Sequence, residues 1–419
     1  MRSRALTTIV AISAAGALAL AGCSSSKNKS GGGGSTGAGA GKSTPAGGGL
    51  GGGNSGGNSG SQTYKVGFIG ALSGPNAQLG INERNGAQLA VDQANASGKF
   101  KFKVTLVPAD SEGDPAKAPA AAQTLISDSA VIATIGPAFS GESEAVNPTF
   151  CGANPPMPIV TASASKGTLQ THGWKCWHRI VPNDNVEGSQ GADWLARTGA
   201  KTVFVLNDLS AYGQGVANTM AGELKKKGVK VIEKGVDGTT TKNYNPIAQT
   251  ISTSGADALF YGGYDAQAAL LAKALKSTGF KGRLVTGNGG KSSVFTKNAG
   301  AAGNGWYFTC GCQDATTAPS AKAFTADYQK KFSTPPSTYS PEAFDAANLI
   351  MDAISKASAS GPATRQSVLD QLNKEDFQGI TTTIKFASDG ELASSSLIVN
   401  LYRQENGDIK SLGNINEVK

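Results

Sequence analysis

The hydrophobic period of this chain switches back and forth between the strand value of two and the helix value of 3.6, and the whole alternation occurs twice. From Tyr64 the spacing predicts strands at Lys65–Ile69, Val104–Val107, Val131–Ile135 and Ile159–Thr161. Helical patterns lie between them at Asn85–Ala96, Pro115–Ile126 and Gly141–Phe150. The first helix has apolar residues at Ala87, Leu89, Ala90, Val91 and Ala94 and stops at Gly98. The second carries Pro115 at its start, where a missing N–H costs little. Strands joined through helices call for a parallel sheet covered on both faces. The pattern then restarts, with strands at Thr202–Leu206, Val229–Glu233, Leu259–Tyr261 and Leu284–Thr286 and helices at Tyr212–Lys227, Ile247–Thr253 and Ala266–Thr278. The fold class is therefore α/β, with two doubly wound Rossmann-like lobes on parallel sheets. Helices at Ala321–Phe332, Glu342–Lys356 and Thr364–Asn373 follow, and strands Thr382–Phe386 and Leu397–Gln404 close the chain.

The start of the chain has a different character. Arg2 and Arg4 precede an apolar run from Ala5 to Leu20, then Leu20-Ala21-Gly22-Cys23. A charged start, a short apolar core and small residues before a cut describe a secretory signal over residues 1–22. The run is too short to span a hydrocarbon core, which takes roughly 20 apolar residues. Cys23 at the first mature position resembles the lipobox of bacterial lipoproteins, which implies a diacylglyceryl group on its thiol. Residues 23–62 continue as a Gly/Ser-rich tether with no aromatic residue and one large aliphatic, Leu50. Such a segment buries too little apolar surface to order itself, and its ends should lie about 35 Å apart. Together these features imply a protein outside the cytoplasm, tied by lipid to the outer face of the cell membrane as in Gram-positive lipoproteins.

The net charge of +8 loses five units with Arg2, Arg4, Lys27, Lys29 and Lys42, leaving +3 on the head. That balance, and the lack of basic runs interleaved with aromatics, argues against nucleic acid as a partner. Besides Cys23 there are four cysteines, for which export favours disulfides. Three connectivities are open. The favoured one pairs Cys151 with Cys176 and Cys310 with Cys312. A zinc site would need C-x₂₋₄-C spacing and more histidine than His172 and His178 supply, so no metal is expected.

Three loops at strand ends carry suitable chemistry, at the place where open α/β sheets bind ligands. They are Gly136–Ser143, with Ser140 as the expected N-cap of a helix; Thr161–Ser165, with three hydroxyls; and Asp208–Gly215, around Tyr212. Taken in order, G-A-L-S-G-P at Gly70–Pro75, I-G-P-A-F-S at Ile135–Ser140, P-I-V-T-A-S-A-S at Pro158–Ser165, Y-G-Q-G at Tyr212–Gly215 and Y-G-G-Y at Tyr261–Tyr264 resemble the solute-binding proteins of ABC importers of the branched-chain amino acid type. The resemblance covers about Tyr64 to Lys419.

It implies a type I periplasmic-binding fold with three crossovers, near Pro182–Asn185, Cys310–Gln313 and Glu391–Ser395. Lobe 1 would comprise residues 63–184 plus 312–392, and lobe 2 residues 185–311 plus 393–419. It implies that Ser140, Gly141, Ser163, Ala164 and Ser165 hold the ligand's charged ends, that Tyr212 and Tyr264 close from the other lobe, and that Phe344 lines the side-chain pocket. The family supplies an acid for the ligand ammonium just after the strand that here reads Val285–Gly290, a stretch with no carboxylate, in which Asn288 is a candidate ligand contact. Asp265 is the expected substitute, then Asp208 and Glu342.

Enzymatic motifs fail on their context. Ser163-Ala164-Ser165-Lys166 spells S-x-x-K, but at a strand end and with no later K-T-G. Gly289-Gly290-Lys291-Ser292 lacks the leading glycine of a phosphate loop. The reading is of a cofactor-free, monomeric receptor, not an enzyme, that passes an amino acid or similar small polar ligand to an ABC permease and ATPase complex. The second reading is a ligand-sensing receptor of the same fold for a signalling partner, or a binding protein for an amide, urea-like or carboxylate ligand.

Overall fold

The structure, a computed structural model, describes residues 62–393 and 397–419. The signal segment, Cys23 and the tether up to residue 61 lie outside the described residues, as do residues 394–396, which include the end of the expected third crossover.

The first half runs β1 (Gln62–Gly70), α1 (Ala77–Ser97), β2 (Phe102–Asp110), α2 (Ala118–Ser127), β3 (Val131–Ile135), α3 (Ser140–Gly152), β4 (Ile159–Thr161) and β5 (Trp177–Arg179). Its five strands are all parallel, in the order β2-β1-β3-β4-β5. The second half runs α4 (Asp184–Arg197), β6 (Thr202–Asn207), α5 (Ala211–Lys226), β7 (Lys230–Gly235), α6 (Asn245–Thr253), β8 (Ala258–Gly262), α7 (Asp265–Thr278), β9 (Arg283–Thr286), α8 (Ser293–Ala299) and β10 (Tyr307–Cys310). Its first five strands repeat the same order, as β7-β6-β8-β9-β10. The doubling in the sequence is thus a doubling of topology.

The chain then crosses back. α9 (Lys322–Phe332), α10 (Ser340–Ala357), α11 (Arg365–Leu372) and the small hairpin β11 (Asp376–Gln378) and β12 (Thr383–Lys385) return to the first sheet. Ala343, Ala346 and Ile350 of α10 join Val66, Phe68 and Ala87 in one apolar cluster beneath it. The opposite face is covered by α2 and α3, through Ala122, Leu125, Val146 and Phe150. Strands such as β3 and β8 are therefore buried along their full length, as a sheet covered on both faces requires.

The second sheet is not purely parallel. β13 (Asn400–Glu405) pairs antiparallel with β10, and β14 (Asp408–Asn414) pairs antiparallel with β13. The sequence reading ended the strands at Gln404 and missed β14. The two are joined by Asn406-Gly407, both at positive φ, 53° and 91°. That is the two-residue turn whose twist matches a hairpin, and Asn-Gly is the pair that best tolerates it.

Both favoured cysteine pairs lie at disulfide spacing, with Cα–Cα distances of 5.3 Å for Cys151–Cys176 and 5.0 Å for Cys310–Cys312. The first ties the last turn of α3 to the approach to β5. The second sits where the chain leaves β10 for α9.

Helices α1 and α10 approach closely at Gly86, where an added Cβ would lie 2.0 Å from the Ser340 carbonyl oxygen. At Gly222 in α5 such an atom would meet nothing within 4 Å. Gly222→Ala should stabilise by roughly 0.5–1 kcal/mol, through helix propensity alone. Gly86→Ala should destabilise by about 1–3 kcal/mol, through overpacking. Urea unfolding of both variants checks the opposite signs; a stabilised Gly86→Ala would contradict the close approach.

Candidate functional site

Strand carboxyl ends of the two sheets face one another across a cavity. From the first half come Ala138, Phe139 and Ser140 after β3, Ser163, Ala164 and Ser165 after β4, and Leu79 and Glu83 of α1. From the second come Tyr212 of α5, Tyr264 after β8, and Asn288 and Gly289 after β9. Tyr339, just before α10, completes the lining. The two rims touch: the Phe139 ring meets Tyr264 edge-on at 5.3 Å, and Tyr264 leans on Tyr212 at 5.4 Å. The cavity between is about 20 Å³. That is room for little more than one ordered water. A ligand of several heavy atoms therefore enters only when the rims part, as in hinge closure.

Of the expected site residues, Ser140, Ser163, Ala164, Ser165, Tyr212, Tyr264 and Asn288 come together here. Gly141, Asp265 and Phe344 are not part of the lining. Phe344 packs on Phe324 at 4.9 Å, in the core beneath α1 and α10. The Asp265 carboxylate turns away into its own helix start. It accepts from Ser292 Oγ at 2.5 Å and from the Ala266 N–H at 2.7 Å. Asp208 is occupied by the Ser210 N–H and hydroxyl, and Glu342 accepts from the Gln313 N–H. Ser140 is not the N-cap: α3 starts at Ser140 with Phe139 as the cap residue. Its Oγ instead accepts the Lys166 N–H at 3.1 Å, stitching the first loop to the second.

The residues that sequence reasoning missed are Leu79, Glu83, Ala138, Phe139, Gly289 and Tyr339. Tyr339 is buried at φ 65°, a left-handed conformation that is rare for an aromatic residue. Such strain concentrates at binding and switch regions. Glu83 is 1% exposed, and its Oε2 has no hydrogen-bond partner. Burial pushes its carboxyl well above the usual range, with Ser163 easing the shift and the charges of Glu142 and Glu342 adding to it. It is the only charged side chain in the lining among the described residues.

Other acids stand close behind. Glu187 accepts from the Asn288 N–H at 3.0 Å, Asn288 Nδ2 at 2.6 Å and Thr309 Oγ1 at 2.7 Å, so it fixes the Asn288 side chain. Burial raises it to about 7 against those bonds. Asp184 is the first residue of α4, and burial followed by the charge of Glu187 raises it to about 8, with Ser165 easing the shift. Lys166 and Arg179 are committed elsewhere, to Glu144 and Glu391. Arg179 also donates to the carbonyls of Ala164 and Lys166, at 3.0 and 2.9 Å, holding the serine loop in place. Tyr212 Oη accepts the Gly289 N–H at 3.1 Å, which leaves its hydrogen free to donate. The cleft thus combines hydroxyls, a helix start, aromatic faces and buried acid.

Two facing doubly wound sheets with a closable polar cavity at their strand ends define a two-lobed ligand-binding protein. Residues 63–406 match the family model described as periplasmic binding protein, and the chain belongs to that family. The leucine-, isoleucine-, valine-, threonine- and alanine-binding protein of Pseudomonas aeruginosa is 26% identical over 82% of this chain and 91% of its own length. The Leu/Ile/Val-binding protein BraC3 of Rhizobium johnstonii is 28% identical over 82% of this chain and 92% of its own. The branched-chain amino acid transporter substrate-binding protein LivJ of Streptococcus pneumoniae, solved with isoleucine, superposes with a TM-score of 0.76 at 25% identity. That match covers 84% of this chain and 100% of LivJ.

The raised carboxyls make stability fall with pH. A carboxyl whose folded value exceeds its unfolded one stays protonated in the native state while the unfolded chain ionises. Its stabilisation is complete below the unfolded value, near 4, and is lost on the way up to the folded value. For Asp184 that window runs to about 8. Asp184→Asn should flatten the fall in unfolding free energy between pH 5 and 7 by on the order of 1 kcal/mol per pH unit. Urea titrations at pH 5, 6 and 7 read this directly, and an unchanged slope would contradict it.

Proposed function

We propose that this protein captures a branched-chain amino acid, or a similar small zwitterion, between its two lobes and presents the closed form to an ABC permease and ATPase complex. The carrying observation is the interlobe cavity, polar at its base and aromatic at its lid, whose one charged lining side chain is a buried acid. Family membership and the ligands named for its relatives support the same reading. The free N–H groups at the start of α3 and the Ser140 hydroxyl suit the ligand carboxylate. Tyr212, Tyr264 and Asn288 close from the opposite side.

In this reading lobe 1 is residues 63–184 plus 312–392 and lobe 2 is 185–311 plus 393–419. The protein acts as a monomer outside the cytoplasm, anchored through a lipid on Cys23, with the segment up to residue 62 as its tether. No helix among the described residues is long and apolar enough to cross a membrane. It performs no chemistry. Ser163 spends its hydroxyl hydrogen on the Ala138 carbonyl at 2.6 Å, and His178 is engaged with Asn373.

A ligand at a hundredfold over its Kd should add about 2.7 kcal/mol to the unfolding free energy. A thermal-shift screen of the full chain against leucine, isoleucine, valine and alanine tests this. A raised midpoint is expected for at least one, and flat curves for all would contradict the transport reading. Cys23→Ser should move the protein from the membrane to the soluble fraction with ligand affinity unchanged; a variant still sedimenting with membranes would contradict the anchor.

A further inference from the structure

Glu83 faces the cavity with one carboxyl oxygen lacking a hydrogen-bond partner, and no cation stands in the cavity walls. Glu83 lies on α1, in the same lobe as Ser140, Ser163 and Ser165. Its Oε2 is buried without a hydrogen-bond partner. Ser163, its neighbour, is already committed to the Ala138 carbonyl. No Lys or Arg contributes to the lining. The second lobe supplies only uncharged groups, the rings of Tyr212 and Tyr264 and the Asn288 amide, whose Nδ2 is held by Glu187. An isolated buried carboxylate is strongly disfavoured, whereas one paired with a hydrogen-bonding cation is not.

On this basis we infer that Glu83 receives the ammonium of the ligand, so that both charged ends of an α-amino acid are held by lobe 1 and lobe 2 closes over them as a neutral lid. The inference rests on the amino-acid reading above and specifies it. It makes the α-amine obligatory and assigns its recognition to a helix that carries no expected site residue. It also gives the order of events. The open protein already presents the carboxylate site at α3 and the ammonium site at α1 on one rigid lobe, so capture precedes closure. The lid then adds contact area, and its tyrosine faces favour a nearby cation.

The test measures the affinity of the full chain for L-leucine, for 4-methylpentanoate (leucine without its amine) and for isopentylamine (leucine without its carboxylate). Wild type should prefer leucine to either analogue by on the order of 10–100-fold, the range of a charge-assisted hydrogen bond. Glu83→Gln, which keeps the shape of a protonated carboxyl, should weaken leucine by a similar factor. It should change 4-methylpentanoate by less than about threefold, collapsing the ratio. Glu83→Asp should recover part of the preference. A Glu83→Gln protein that binds leucine within about threefold of wild type, or loses leucine and 4-methylpentanoate equally, would overturn the inference while leaving amino-acid binding intact. Wild type that binds 4-methylpentanoate as tightly as leucine overturns it without any variant. Wild type that binds no amino acid overturns the functional reading as well, so the two failures are distinct.

Discussion

Glu83 faces a water-sized cavity with one carboxyl oxygen unpartnered and no cation in the walls. Glu187 backs the Asn288 wall of the cavity, with Asp184 beside it, both buried and both raised. Removing a carboxylate from water without a counter-charge is among the costliest things a fold can do. Burial raises all three carboxyls toward the protonated form, against the hydrogen bonds that Glu187 accepts. A surplus of buried acid around a closable cleft does little for stability, and apolar residues of like size would serve a purely structural role better. It makes sense as a site awaiting a cation-bearing ligand.

The rest of the architecture delivers these groups to one place. Two sheets with the same strand order turn their carboxyl ends toward each other, so loops after β3 and β4 meet loops after β8 and β9. Arg179, fully buried, joins the serine loop to Glu391 at the approach to the third crossover, and its own N–H donates to the Gly390 carbonyl. The ligand loop and the hinge are thereby bound to one side chain. Across the hinge, Thr338 Oγ1 donates to the Lys291 carbonyl at 2.5 Å, next to the strained Tyr339. The Thr338 hydrogen bond and the Phe139–Tyr264 ring pair both join the two halves.

The lobes were legible because sheets covered on both faces bury continuous apolar strands, and β3 and β4 were read to the residue. The loops Gly136–Ser143 and Thr161–Ser165 stood out as strand ends with hydroxyls. Glu83 was not, for a physical reason. The spacing placed the first helix at Asn85–Ala96, but α1 begins at Ala77. Its first half buries Asn82, Glu83 and Asn85 with Leu79 as the one large apolar residue among them, so closely spaced apolar residues start at Ala87. A helix whose buried face is mostly polar over its first turns looks like a loop to a hydrophobicity pattern. Asp265 misled in the opposite way. It follows a lining tyrosine in sequence, but at the first residue of α7 its carboxylate turns to Ser292. Tyr339 and Phe344 show the same limit: proximity to a cleft depends on how α10 docks, which no local pattern encodes.

The account stands on acid in the cleft that changes its charge when a ligand arrives. Calorimetric titration of the wild-type protein with L-leucine near pH 7, repeated in buffers of different ionisation heat, counts the protons exchanged. An ammonium beside Glu83, with Asp184 and Glu187 nearby, should lower carboxyl affinities for protons, so binding should release protons into the buffer. Heats that do not depend on the buffer, or that show proton uptake, would contradict the central claim.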